Sequence, residues 1–169
     1  MCGVGSLVKD SMKLYLLRHA TAEHIARSDA ARELTGAGRE EARIAGAAMH
    51  RLGARPDHVF SSPLTRARQT ATLAGKALKF HGDVEILPEL ENGYRTGELL
   101  RALKPYAQAN ELLLVGHMPD LAGHLAALLA AQVVDNLALG KGSVACVELE
   151  TLRAGLGRLK WLMRQKQLR

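Results

Sequence analysis

At 169 residues, 47% of them hydrophobic and 24% charged, the chain has the size and composition of one folded domain and is neither disordered nor fibrous. The formal charge of +6 is not spread over it: Glu150 is the last acidic residue, and the excess lies in Arg153, Arg158, Lys160, Arg164, Lys166 and Arg169, a basic tail on a neutral body that argues against nucleic acid as the partner. Two cysteines, Cys2 and Cys146, cannot frame a disulfide fold or a CxxC clip, and no stretch reaches the roughly 18 consecutive apolar residues of a membrane span.

Residues 1–12, MCGVGSLVKDSM, lack the basic start, apolar block and small-residue cleavage site of a secretory signal. They read as a flexible extension ahead of a single domain over 13–169, with the cytoplasm as the expected location. Leu14-Tyr15-Leu16-Leu17 is an apolar run of the kind a buried strand shows. Thr35 then precedes a segment in which Ala42, Ala45, Met49 and Leu52 recur at helical spacing, giving one apolar stripe. Val59-Phe60 predicts a short strand. Ser62-Pro63 offers an N-cap and a first-turn proline for a second helix, with Ala67, Thr70 or Ala71, Ala74 and Leu78 on one face. A strand over Val84 to Leu87, a short helix from Gly97 to Leu103, a buried strand at Leu112-Leu113-Leu114-Val115 and a helix from near Pro119 follow.

Toward the end, Ser143 to Glu150 and Arg158 to Met163 alternate apolar and polar residues on either side of Gly155 and Gly157. That is the pattern of an antiparallel hairpin at a sheet edge; Leu156, Leu159 and Met163 also fit a helix face, and the hairpin is the preferred reading. The whole predicts an α/β domain of three layers, α/β/α, with a mostly parallel central sheet and the antiparallel hairpin at its C-terminal edge. No repeat, low-complexity tract or Pro/Gly/Ser-rich linker divides it.

Three junctions share one form, a buried strand that ends in a sharp polar loop: Leu17-Arg18-His19-Ala20, Phe60-Ser61-Ser62-Pro63-Leu64-Thr65-Arg66 and Val115-Gly116-His117-Met118-Pro119. In an open parallel sheet the loops at the carboxyl ends of the strands lie on one edge, where ligands bind. Two arginines and two histidines gathered there, with no metal motif beside them, ask for an anion. Guanidinium forks match phosphate oxygens, and loops that open helices add backbone N–H donors. A histidine with its ring nitrogen in line with phosphorus can act as a nucleophile, and an Arg/Arg/His clamp can stabilise the transferring group without magnesium.

The same residues resemble the histidine phosphatase (phosphoglycerate-mutase-like) superfamily. Leu17-Arg18-His19-Ala20 is similar to its Arg-His-Gly signature, the block from Ser61 to Ala71, SSPLTRARQTA, to its second, and Leu114-Val115-Gly116-His117 to its third. Arg32-Glu33-Leu34-Thr35 with Gly38, Leu87-Pro88-Glu89-Leu90 and the small size are similar to the SixA branch, the phosphohistidine phosphatases. The resemblance spans about residues 13 to 165 and implies a phosphoglycerate-mutase-like fold. It implies that His19 is the nucleophile, that Arg18 and Arg66 bind the phosphoryl oxygens and that His117 is the second histidine of the pocket. Glu89 is its candidate acid, with Glu91 close enough to compete. Ser61 and Arg32 join as candidate phosphate or substrate contacts, Arg32 alternatively as a salt-bridged loop residue. Ala20 stands where the signature has glycine, which adds a Cβ to the loop. The chain lacks long insertions over the site, and an open site suits a phosphate carried on a protein. The implied enzyme needs no cofactor and no metal, and its partner is a phosphorylated protein carrying phosphohistidine or a small phosphate ester, with no membrane.

Other readings are weighed against this one. Gly36 and Gly38 do not continue into a GxGxxG, since position 41 is glutamate. His124 reads as structural, and His24, His50, His58 and His81 have no partners at ligand spacing. Met1-Cys2-Gly3 resembles the start of an N-terminal cysteine amidotransferase, but a polar lead follows it in place of a strand. A phosphate-binding module without turnover is the rival outside enzymes.

Overall fold

The computed structural model describes residues 11–132 and 137–169. Residues 1–10 of the expected N-terminal extension, Cys2 among them, lie outside the described residues.

Apolar residues on successive positions of a strand must face opposite ways, so an uninterrupted apolar run needs a layer on each face of its sheet. Strand β1 (Met12–Arg18) shows this directly: Leu14 and Leu16 belong to one buried cluster, Tyr15 and Leu17 to the other. Strand β4 (Glu111–Gly116) splits in the same way, Leu112 and Leu114 against Leu113 and Val115. β1 starts one residue ahead of the boundary expected between 12 and 13, because Met12, 3% exposed, packs on the Leu14 side of the core.

The sheet has six strands in the order β3-β2-β4-β1-β5-β6, where β2 is His58–Ser61, β3 Val84–Ile86, β5 Val144–Leu149 and β6 Arg158–Met163. The pairs β2–β3, β2–β4 and β1–β4 are parallel, and β5 pairs antiparallel with both β1 and β6. The C-terminal alternation is therefore strand, as preferred above, and the helical alternative for Arg158–Met163 is not realised. One face carries α1 (Gly36–Arg51), α2 (Thr65–Ala77) and the short α5 (Gln165–Leu168), whose Ala45, Ala48, Met49, Ala67, Ala71, Ala74 and Leu168 fill one cluster. The other face carries α3 (Thr96–Leu103) and α4 (Asp120–Leu128), with Leu99, Leu103, Leu121, Leu125 and Leu128. Among the described residues no helix is long and apolar enough to cross a membrane.

Small residues set how close the α1–α2 pair can come. A Cβ added at Gly46 would lie 2.1 Å from the Ala74 carbonyl oxygen, and one at Gly38 would lie 1.9 Å from the carbonyl oxygen of Thr21, so the two helices touch backbone to backbone and the first turn of α1 abuts the loop that follows β1. Thr35 caps α1 as expected, its hydroxyl accepting from the Gly38 N–H at 2.9 Å. α2 departs from expectation. Its cap is Leu64 and its first residue Thr65, because the Ser62 hydroxyl, the expected cap, is committed elsewhere.

Candidate active site

Backbone bonds knit the carboxyl ends of β1, β2 and β4 into one edge. The His19 N–H donates to the Gly116 carbonyl at 3.0 Å, Ser62 N–H to Val115 at 3.0 Å and Leu87 N–H to Ser61 at 2.8 Å. The three junctions read from the sequence are thereby brought side by side, and the imidazoles of His19 and His117 stand 4.9 Å apart between centroids, tilted by 49°. A fourth segment arrives from the antiparallel strand. Because β5 runs opposite to β1, the residues that precede it lie beside the end of β1: Ser143 accepts from the Arg18 N–H at 3.0 Å, and the Gly142 N–H donates to His19 at 3.3 Å. Lys141 lies in that loop.

Each ring has one nitrogen committed. His19 Nδ1 lies 2.8 Å from the Ala20 carbonyl oxygen, which can only accept, so Nδ1 carries the proton and Nε2 keeps its lone pair. Burial first, then the charges of Arg66, Arg18 and Lys141, push the His19 imidazole from 6.5 down to about 4, against the opposing pull of the Ala20 bond. At neutral pH the ring is uncharged. His117 Nε2 lies 2.6 Å from the Ser62 hydroxyl, which also accepts from the Leu64 N–H at 3.3 Å. A hydroxyl can accept and donate at once, and when Ser62 turns its own hydrogen to Nε2, His117 Nδ1 is the protonated nitrogen and a donor. Burial first, then His19 and Arg66, push His117 from 6.5 down to about 3.

The arginines are held at one end. Arg18 donates one terminal N–H to the Leu139 carbonyl at 2.8 Å, and Arg66, 7% exposed, gives both terminal nitrogens to Asp29. Arg18 Nε, Arg66 Nε and His117 Nδ1 are buried without a hydrogen-bond partner. Leaving such polar atoms buried and unpaired costs about 1–3 kcal/mol each, and three of them around an uncharged imidazole make a site suited to a tetrahedral oxyanion.

The remaining candidates fall differently. Ser61 is fully buried and turns its hydroxyl to the Ser62 carbonyl at 2.8 Å, so the neighbouring serine, read from sequence as a cap, is the one that meets His117. Arg32 spends its guanidinium on the Glu23 carbonyl at 2.6 Å and the Asp29 carboxylate at 3.1 Å, which is the salt-bridged loop alternative. Glu89 lies in the one-turn 3-10 helix Pro88–Leu90, which packs on Gly116 through Leu90, and Glu91 follows it; both are half-buried. Ala20 takes no positive φ; its N–H donates to the Thr70 hydroxyl at 3.1 Å and its Cβ is buried with Ala22, Leu34 and Ala42. His124, 2% exposed, meets the Thr96 hydroxyl at 2.9 Å and ties α4 to α3. Burial pushes the Cys146 thiol up to about 11, so it stays protonated and inert. Asp29, Ser62 and Lys141 are the site residues that sequence reading missed. Only Lys141 had a usable signal, its place in a Gly-Lys-Gly loop just ahead of the strand predicted to pair at the edge.

Residues 14–94 match the histidine phosphatase superfamily (branch 1). The chain is 30% identical over 155 residues to the phosphohistidine phosphatase SixA of Escherichia coli K12, covering 90% of this chain and 93% of that protein. It is 30% identical over 153 residues to an uncharacterized protein of Picosynechococcus sp., with 88% of this chain and 89% of the other covered. Its fold matches the structure of the protein histidine phosphatase SixA complexed with tungstate at a TM-score of 0.85 and 26% identity, over 94% of this chain and 100% of that one. The chain belongs to the histidine phosphatase superfamily, in its SixA-type branch, and is a phosphatase.

Proposed function

We propose that this phosphatase works without a metal, through a phosphohistidine formed on His19, and that its substrate is phosphohistidine on a signalling or phosphotransfer protein. The observation that carries this is the uncharged His19 imidazole, with Nε2 free, set 4.9 Å from His117 among three buried, unpartnered nitrogens, Arg18 Nε, Arg66 Nε and His117 Nδ1. His19 Nε2 attacks phosphorus; the bond from phosphorus to the substrate's imidazole nitrogen breaks with its electron pair going to that nitrogen, and the substrate ring, protonated from solvent on its other nitrogen beforehand, leaves as neutral imidazole. Water then attacks the phosphorus on His19; the P–N electron pair returns to Nε2, the water's proton passes to the released phosphate or to solvent, and inorganic phosphate and the neutral imidazole result. Arg18, Arg66 and the His117 Nδ1–H hold the non-bridging oxygens and stabilise the charge that spreads over them.

Proton delivery is less demanding for a phosphoramidate than for an ester, because the leaving nitrogen is itself basic. Glu89 is the candidate donor for an ester and dispensable for phosphohistidine. A tetrahedral oxyanion, tungstate, accompanies the related SixA structure, and the E. coli relative is named for phosphohistidine hydrolysis. The deciding experiment compares kcat/KM on a phosphohistidine-carrying protein with that on simple phosphate esters, each with and without excess EDTA. A large preference for the phosphohistidine protein, unchanged by EDTA, is expected. A large preference for esters would replace the substrate, EDTA inhibition reversed by a divalent ion would replace the mechanism, and tight phosphate binding without turnover would make the chain a binding module.

The reactive form of His19 is the neutral one, so activity is present above its pKa and is lost as pH falls through it. With that pKa at about 4, kcat/KM is expected to hold from neutral pH down to about 5, to halve at about 4 and to fall roughly tenfold per unit below that. A decline that begins near 6.5 would mean that the site does not depress this imidazole.

A further inference from the structure

A guanidinium has five N–H donors on three edges, and an arginine that must grip an oxyanion works only if the right edge faces it. Arg66 rises from the first turn of α2 as a nearly buried side chain, so its own rotamer freedom is small, and both of its terminal nitrogens go to a single residue of the loop after β1. One donates to the Asp29 main-chain carbonyl at 2.8 Å, the other to the Asp29 carboxylate at 3.0 Å. Using the terminal edge in this way leaves Nε–H, which has no partner, together with the second hydrogen on each terminal nitrogen.

Asp29 is itself held. Its other carboxylate oxygen accepts from Arg32 at 3.1 Å, and Arg32 is anchored to the Glu23 carbonyl at 2.6 Å. The next residue, Ala30, accepts from the Thr65 N–H at 3.1 Å at the start of α2, and Gln69 of α2 accepts from the Leu34 N–H at 2.7 Å, so the loop is stitched to the helix that carries Arg66. The Arg32 and Arg66 bonds together keep the Asp29 carboxyl below its usual range, hence charged at neutral pH.

We propose that Asp29, braced by Arg32, is the positioning residue for Arg66: it takes the terminal edge of the guanidinium and thereby aims the Nε–H edge at the phosphoryl oxygens beside His19. This rests on Arg66 binding phosphate, as argued under Proposed function. The alternative, that the carboxylate merely occupies Arg66 until phosphate displaces it, conflicts with the main-chain carbonyl, which cannot leave Arg66 without moving a loop tied at Ala30 and Leu34. The positioning role also gives Arg32 a task away from the substrate.

The test is a double-mutant cycle on the full chain, read by kcat/KM on a small phosphoramidate donor and by inhibition with inorganic vanadate. Asp29→Asn keeps the shape of an exposed side chain and removes its charge. In the native background it is expected to lower kcat/KM by about tenfold to a hundredfold, the scale set by misplacing a catalytic contact, and to weaken vanadate inhibition in parallel. Arg32→Ala should shift both the same way by less. In an Arg66→Ala background, Asp29→Asn should change neither quantity by more than about twofold. Equal losses in the two backgrounds would mean that Asp29 acts on the loop and not through Arg66, and tighter vanadate inhibition by Asp29→Asn would mean that it obstructs the site; either result overturns the proposal. If Arg66→Ala alone leaves kcat/KM and vanadate inhibition unchanged, the phosphate role of Arg66 fails and the positioning role falls with it, whereas a strong Arg66→Ala effect with no Asp29→Asn effect removes the positioning role alone.

Discussion

His19→Ala is expected to lose phosphatase turnover by roughly 10⁴-fold or more while the protein stays folded, because covalent catalysis has no substitute once its nucleophile is gone. The stability change at neutral pH should be small: the variant gives up the Nδ1 bond to Ala20 at 2.8 Å, and the ring is uncharged there, so its removal relieves no charge repulsion from Arg18, Arg66 and Lys141. Removal of the ring also takes away the neighbour that, after burial, most depresses His117. Phosphate release under saturating substrate, with a thermal melt beside it, checks both parts. A variant that melts like the native protein yet keeps a tenth of its rate would show that the nucleophile lies elsewhere.

Arg66→Ala is the second large effect. One charge-assisted clamp on the transferring group contributes on the scale of 10²–10³ in rate, so kcat/KM should fall by about that factor and inhibition by phosphate should weaken with it. Arg66→Lys is expected to recover little, since an ammonium cannot offer the Nε–H edge while a second edge holds Asp29. The melting temperature should move little: the Asp29 carboxylate is 64% exposed and can return to water, where such pairs are worth about 1 kcal/mol or less. Steady-state kinetics with a phosphate inhibition series reads the first two effects and calorimetry the third.

Much of the fold could be read from the chain because its signals are local and mutually consistent. The unbroken runs Leu14–Leu17 and Leu112–Val115 required helices on both faces of the sheet, and both faces are covered. The Arg158–Met163 alternation placed the edge strand with its bounds intact. Two elements escaped for identifiable reasons. The start of α2 was misplaced because Ser62 has the chemistry of a helix cap, and only the fold shows that His117, 55 residues on, claims its hydroxyl. The one-turn α5 is too short for a periodic signal, and what holds it is tertiary: Leu168 is 1% exposed, and Gln165 donates to Glu41 and Gly142.

The site divides in the same way. Residues 18, 19, 66 and 117 were legible together, since strand ends on one sheet edge must meet, and three short motifs in order mark those ends. Asp29 was not. It lies in an exposed loop, 37 residues from the arginine it holds, with no periodicity to betray it, and the acidic residues around it look alike in one dimension. Arg32 was visible as a charge, but whether it faces the substrate or a neighbour depends on a partner that sequence could not supply.

The most direct measurement is to quench the native protein during turnover of a labelled phosphohistidine donor and map the trapped phosphate. Phosphate that survives alkali, is lost in acid and sits on the peptide containing His19, with none on the His19→Ala protein, is the predicted result. Steady turnover with no phosphate on His19, or with the label on His117 or a carboxylate, would contradict it.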